Sequence, residues 1–166
     1  MKVEKYFILN KYLLSLFGIN DFKELQQKLK DTREGVDSNG RSFFLYPLLS
    51  SFPDRKISED DLERYDSNIQ KYVEKINYKR EDKVVLKYFQ YLAVLFTEIV
   101  LDNIKNKKVE FIYRLNEFLK NYEDENVKHL VGEFTEDDLS KLAFYMATGS
   151  GKTLIAHINY YQFFNI

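Results

Sequence analysis

Cysteine is absent from this chain, tryptophan is absent, and proline occurs twice, at Pro47 and Pro53. Without cysteine there is no disulfide framework, no thiolate metal site and no cysteine nucleophile. Without proline after Pro53, nothing of that kind interrupts helices over the rest of the chain. Charge of one sign is missing too: 25 Lys+Arg stand against 26 Asp+Glu, a net charge of −1. Sequence-independent DNA binding needs clustered cations, so the balance offers no footprint for a polyanion. The N-terminal residues carry charges where a signal peptide needs an apolar stretch, and no run reaches the roughly 18 apolar residues of a membrane span. A cytoplasmic, non-membrane protein is expected.

What remains is rich in apolar residues, 45% of 166, with 13 Tyr and 14 Phe. That length supports a hydrophobic core without metals or disulfides. The first impression is a single domain of mainly α class. Apolar residues Ile8, Leu9, Tyr12, Leu13, Leu16 and Phe17 fall on one face of a helix over 6–17, with Gly18 as its stop. Asp21 caps a second helix to about residue 30. Residues 35–40 carry turn signals, and 41–49 offer an extended segment. Ser58 with Asp61 resembles a capping box opening a helix to about Asn77.

Residues 84–104 predict the most central helix. At about 100° per residue, with Lys87 at zero, Glu98 falls near +20°, Asp102 near +60°, Gln90 near −60° and Thr97 near −80°. Nearly all the remaining arc is apolar. A helix over 109–122 follows the charged stretch Lys105-Asn106-Lys107-Lys108, and 123–126 reads as a solvated loop. His129 and His157 have no ligand-spaced partners.

The chemistry is concentrated near the end. Leu142-Ala143-Phe144-Tyr145-Met146 is an unbroken apolar run, as for a strand buried on both faces. It leads into Ala147-Thr148-Gly149-Ser150-Gly151-Lys152-Thr153, then Leu154, Ile155 and Ile158 at helical spacing. Strand, Gly-rich loop and helix are in the order of a phosphate-binding loop. Gly149 and Gly151 would let backbone N–H groups approach phosphate oxygens, and the helix start would add its dipole. Lys152 would reach the β- and γ-phosphates of ATP, and the Thr153 hydroxyl would ligate Mg2+. Met146 stands where the strict pattern has its first glycine.

Met-Ala-Thr-Gly-Ser-Gly-Lys-Thr at 146–153 resembles motif I of superfamily-two helicases of the DEAD/DEAH type, in the form seen in restriction-enzyme motor subunits. Further upstream, 65–69, 86–93, 95–99 and 141–144 resemble the N-terminal region of type III restriction helicase subunits. The resemblance implies ATP and Mg2+ as cofactors, with Thr148, Gly149, Ser150, Gly151, Lys152 and Thr153 around the phosphates and Lys152 as the catalytic cation. It also implies adenine recognition by Phe89, stacking, and Gln90, hydrogen bonding. Glu98 to Asp102 imitates a metal-binding strand, but its helical period and its place before the loop argue against that.

Only 13 residues follow Thr153. They leave no room for the Asp-Glu motif, the second RecA-like domain or the DNA-tracking motifs of such motors. The expectation is therefore a helical domain over 1–130 and, over 131–166, the first strand, loop and helix of an incomplete RecA-like α/β domain. Double-stranded DNA would be engaged by parts absent from this chain, with a DNA methyltransferase subunit as a candidate partner. The other reading is a truncated, catalytically inactive nucleotide-binding or interaction module. A small P-loop kinase ranks third, since such enzymes place the loop near the N-terminus.

Overall fold

The computed structural model describes residues 6–164. Among the described residues the helical elements are α1 (Ile8–Ser15), α2 (Phe22–Leu29), α3 (Leu45–Ser50), α4 (Glu59–Asn77), α5 (Tyr88–Lys120), α6 (Glu125–Val131) and α7 (Lys152–Phe164), with a 3₁₀ turn at Asp138–Ser140. No helix among the described residues is long and apolar enough to cross a membrane.

Local chemistry sets several boundaries. Helix α1 ends at Gly18, whose φ of 72° few L-residues tolerate. Gly18 N–H donates to the Ser15 carbonyl at 3.1 Å and Ile19 N–H to the Leu14 carbonyl at 3.3 Å, the two bonds of a Schellman motif. A Cβ at Gly18 would also meet Asp54 Cβ at 3.0 Å. Asp21 begins α2 by accepting from Lys23 N–H, while Glu24 reaches back to Asp21 N–H. Ser58 Oγ accepts from Asp61 N–H at 3.1 Å and opens α4 where its spacing predicts.

Helix α5 is the axis of the fold. Tyr91, Leu92, Val94, Leu95 and Ile99 on it are almost fully buried, in one cluster with Leu25 of α2, Leu48 of α3, Leu62 and Ile69 of α4, and Ile155 and Ile158 of α7. A buried carboxylate anchors the segment before α3. Asp66 of α4 accepts from Ser42 N–H at 3.0 Å and from the Tyr91 hydroxyl at 2.8 Å. Burial pushes its pKa up, against the lowering effect of those donors.

Helix α5 is two helical segments meeting at a kink: Lys107, with φ −144° and ψ 35°, is non-helical, so the charged stretch separates the two helices expected over 84–104 and 109–122, the first of which begins at Tyr88. Three expectations need correction. Residues 41–49 do not form an extended segment: only an isolated bridge, Val36 to Ser42, precedes α3. Residues 123–126 are not loop throughout, because Asp124 accepts from Asn126 and Val127 N–H and starts α6.

The third concerns 142–146, which is neither a strand nor buried on both faces. Leu142 and Met146 pack on the core, but Phe144 is 41% and Tyr145 83% exposed. A parallel strand needs a neighbour for its N–H and C=O groups, and among the described residues none lies beside this run.

Candidate functional site

The 147–153 loop is shaped by its glycines and by one serine. Gly149 has φ 77° and Gly151 φ 87°, both left-handed, separated by Ser150. Ser150 donates twice to the Ala147 carbonyl, from Oγ at 2.7 Å and from N–H at 3.3 Å, which closes the turn. Helix α7 starts at Lys152, and its first internal bond to the loop is Ile155 N–H to the Gly151 carbonyl at 3.1 Å. The N–H groups of 151–154 have no backbone acceptor among the described residues, as at any helix start. Here they follow two left-handed glycines, an arrangement suited to an anion.

The side chains of Lys152 and Thr153 are exposed and form no hydrogen bond or ion pair with another described residue. Thr148 and Gly149 are also exposed, and Ser150 and Gly151 half-buried. The expected loop residues therefore sit together at one helix start on the surface.

Gln90 reaches this loop from the first turn of α5. Its Oε1 accepts from Lys87 N–H at 2.9 Å, half of a capping box, and its Nε2 donates to the Ser150 carbonyl at 3.0 Å. A Cβ built at Gly151 would lie 2.5 Å from that Nε2. Gln90 is 8% exposed. Each end of its amide keeps one hydrogen-bonding position beyond these two contacts, one acceptor and one donor, the pair an adenine edge requires. Phe89, next along the chain, is half-buried with its ring edge-on to Tyr88 at 5.4 Å.

The donor set suits phosphate better than it suits a metal. Thr153 supplies one oxygen of the kind Mg2+ takes, but Mg2+ sites normally add one or two carboxylates to the substrate's phosphates. No carboxylate bonds to Lys152 or Thr153, and no group of three or more metal-ligating side chains occurs among the described residues. His129 and His157 are exposed on α6 and α7. Asp102 is helical and accepts from both terminal nitrogens of Arg64 and from the Tyr65 hydroxyl, so it is no part of a metal site.

A second polar cluster lies at the far end of α7. Gln162, 1% exposed, donates from Nε2 to the Val94 carbonyl and to Glu98 Oε1, both at 3.0 Å. Glu98 Oε2 accepts from Asn68 Nδ2 at 3.2 Å. Burial, then Glu98, push the Tyr72 phenol pKa upward. The polar arc of α5 is thus covered: Gln90, Thr97 and Glu98 are all buried. The signal for Gln162 is present in the sequence, because it continues the apolar face of Ile155 and Ile158 at helical spacing.

The chain matches no protein-family model, no curated protein and no solved structure.

Proposed function

We propose that this chain holds ATP at the 148–153 loop, as the N-terminal part of a superfamily-two DNA translocase of a restriction-modification system. The observation that carries the reading is the meeting of two separate segments: a Gly-Ser-Gly-Lys-Thr loop opening a helix, and Gln90, 60 residues upstream of Ser150, bonded to it. In this reading the loop N–H groups and Lys152 hold the phosphates, Gln90 and Phe89 face the base, and Thr153 contributes to Mg2+. When bound, magnesium would supply charge neutralisation at the phosphates. Among the described residues no carboxylate bonds to Lys152 or Thr153, so in this reading the group that orients the water comes from the remainder of the translocase.

Surface chemistry adds support. The elements flanking the loop carry exposed apolar groups: Phe144 and Tyr145 before it, and Tyr160, Phe163 and Phe164 on α7 at 60%, 50% and 72% exposure. Large apolar side chains gathered beside a run without strand partners suit a surface that the rest of a RecA-like sheet covers. The DNA-cleaving parts and a methyltransferase partner would lie with that remainder.

The second reading, a nucleotide-binding or interaction module without turnover, is favoured by the lack of a carboxylate on Lys152 and Thr153. Reading the gene beyond codon 166 separates the two. Continuation into an Asp-Glu-x-His-like motif is expected of the translocase, and a long non-coding stretch would leave only the module.

A further inference from the structure

We propose that Gln162 is a positioning residue for the 148–153 loop, fixing the register of α7 on α5 through its bonds to Val94 and Glu98. The proposal rests on the reading of that loop as a phosphate site.

Helix α7 docks on α4 and α5 mainly through Ile155 and Ile158, both buried in the main core. Apolar contact is non-directional. A slip of one turn along such a face would shift Lys152 by about 5.4 Å, more than a phosphate contact tolerates. Directional bonds remove that freedom, and α7 with its loop has two sets. Gln90 holds Ser150 before the helix, and Gln162 holds the Val94 carbonyl and Glu98 near its end. Gln90, Val94 and Glu98 are spaced by four along α5, so one stripe of a single helix grips the loop–α7 unit at both ends.

The far grip is built for specificity. Glu98 is 7% exposed, and the side chains that donate to it among the described residues, Asn68 and Gln162, are neutral. Gln162 spends both Nε2 hydrogens there, and its Oε1 is buried without a hydrogen-bond partner among the described residues. Gln162 thus supplies a buried carboxylate with a donor while leaving its own oxygen orphaned, and the same two bonds fix where α7 sits along α5.

The test compares the full chain with Gln162→Met, which keeps size and loses the donors, and with Ile158→Val, which weakens the same interface without touching a bond. Hydrogen exchange without nucleotide is measured at the hydrogen-bonded amides of Ser150 and Ile155, alongside urea unfolding. Gln162→Met is expected to unfold cooperatively and to exchange about five- to tenfold faster at Ser150 and Ile155, as for a net loss near the worth of a single hydrogen bond; Ile158→Val is expected to leave those rates unchanged. Unchanged exchange in Gln162→Met, an equal rise in Ile158→Val, or loss of cooperative unfolding in Gln162→Met would each overturn the positioning role. Because exchange needs no nucleotide, a chain whose latch behaves as described but whose loop does not respond to Mg·ATP would reject the phosphate reading alone.

Discussion

Gln90 Nε2 and the Ser150 carbonyl oxygen lie 3.0 Å apart, joining residues 60 positions distant in sequence. A side chain at residue 151 would have to push the Gln90 amide off this contact. Glycine there is favoured twice, by its φ of 87° and by the 2.5 Å that would separate a Cβ from Gln90 Nε2.

Those two requirements can be separated. Gly151→Ala should cost about 1–3 kcal/mol from the left-handed backbone, and more from collision with Gln90. In a Gln90→Ala background only the backbone part remains, so urea unfolding of the four chains should show a coupling of at least about 0.5 kcal/mol. Additive costs would mean that Gln90 does not lie against Gly151.

Asp66 gives a pH dependence with a definite sign. Burial raises its folded pKa above the ordinary 3.8, so the folded state binds this proton more tightly than the unfolded chain. The stabilisation from that proton is complete below the unfolded value and is lost as pH rises through the folded one. Relative to Asp66→Asn, the wild-type chain should therefore lose unfolding free energy as pH rises through this range. A difference that grows with pH would contradict the raised value.

Helix α7 belongs to the main core, and Ile158 is fully buried within it. Ile158→Ala should destabilise the whole chain by about 2–5 kcal/mol, with one cooperative transition. If only an early, separate transition moved, α7 would be an appendage to the bundle.

Turnover is expected to be absent. No carboxylate bonds to Lys152 or Thr153 among the described residues, and transfer of a γ-phosphoryl to water needs groups that orient the nucleophile and neutralise charge. Purified chain should show no ATPase above background with or without DNA. DNA-stimulated hydrolysis would show that the chain carries a complete active site.

Much of this was legible where the signal is local. Ser58, Asp21 and Gly18 mark helix ends through side-chain and backbone geometry within a few residues, and each does so in the structure. The apolar arc of 84–104 likewise marks the central helix. The polar arc was harder, because an angle says that Gln90, Thr97 and Glu98 share a side of α5 and nothing about what covers it. The covering helices α4 and α7 are distant in sequence, and the bonds from Asn68 and Gln162 are properties of their docking. The run 142–146 misled for a related reason: its β-forming composition is local, whereas a strand exists only with a partner.

The most direct test of the candidate site is a titration of isotope-labelled full chain with Mg·ATP, followed by the amide resonances of Gly149 to Thr153. Shifts confined to the loop and to Gln90, saturating only above millimolar nucleotide and abolished by Lys152→Ala, are the expected result. Shifts elsewhere in the bundle, or the same loop shifts in Lys152→Ala, would contradict an ATP site at this loop.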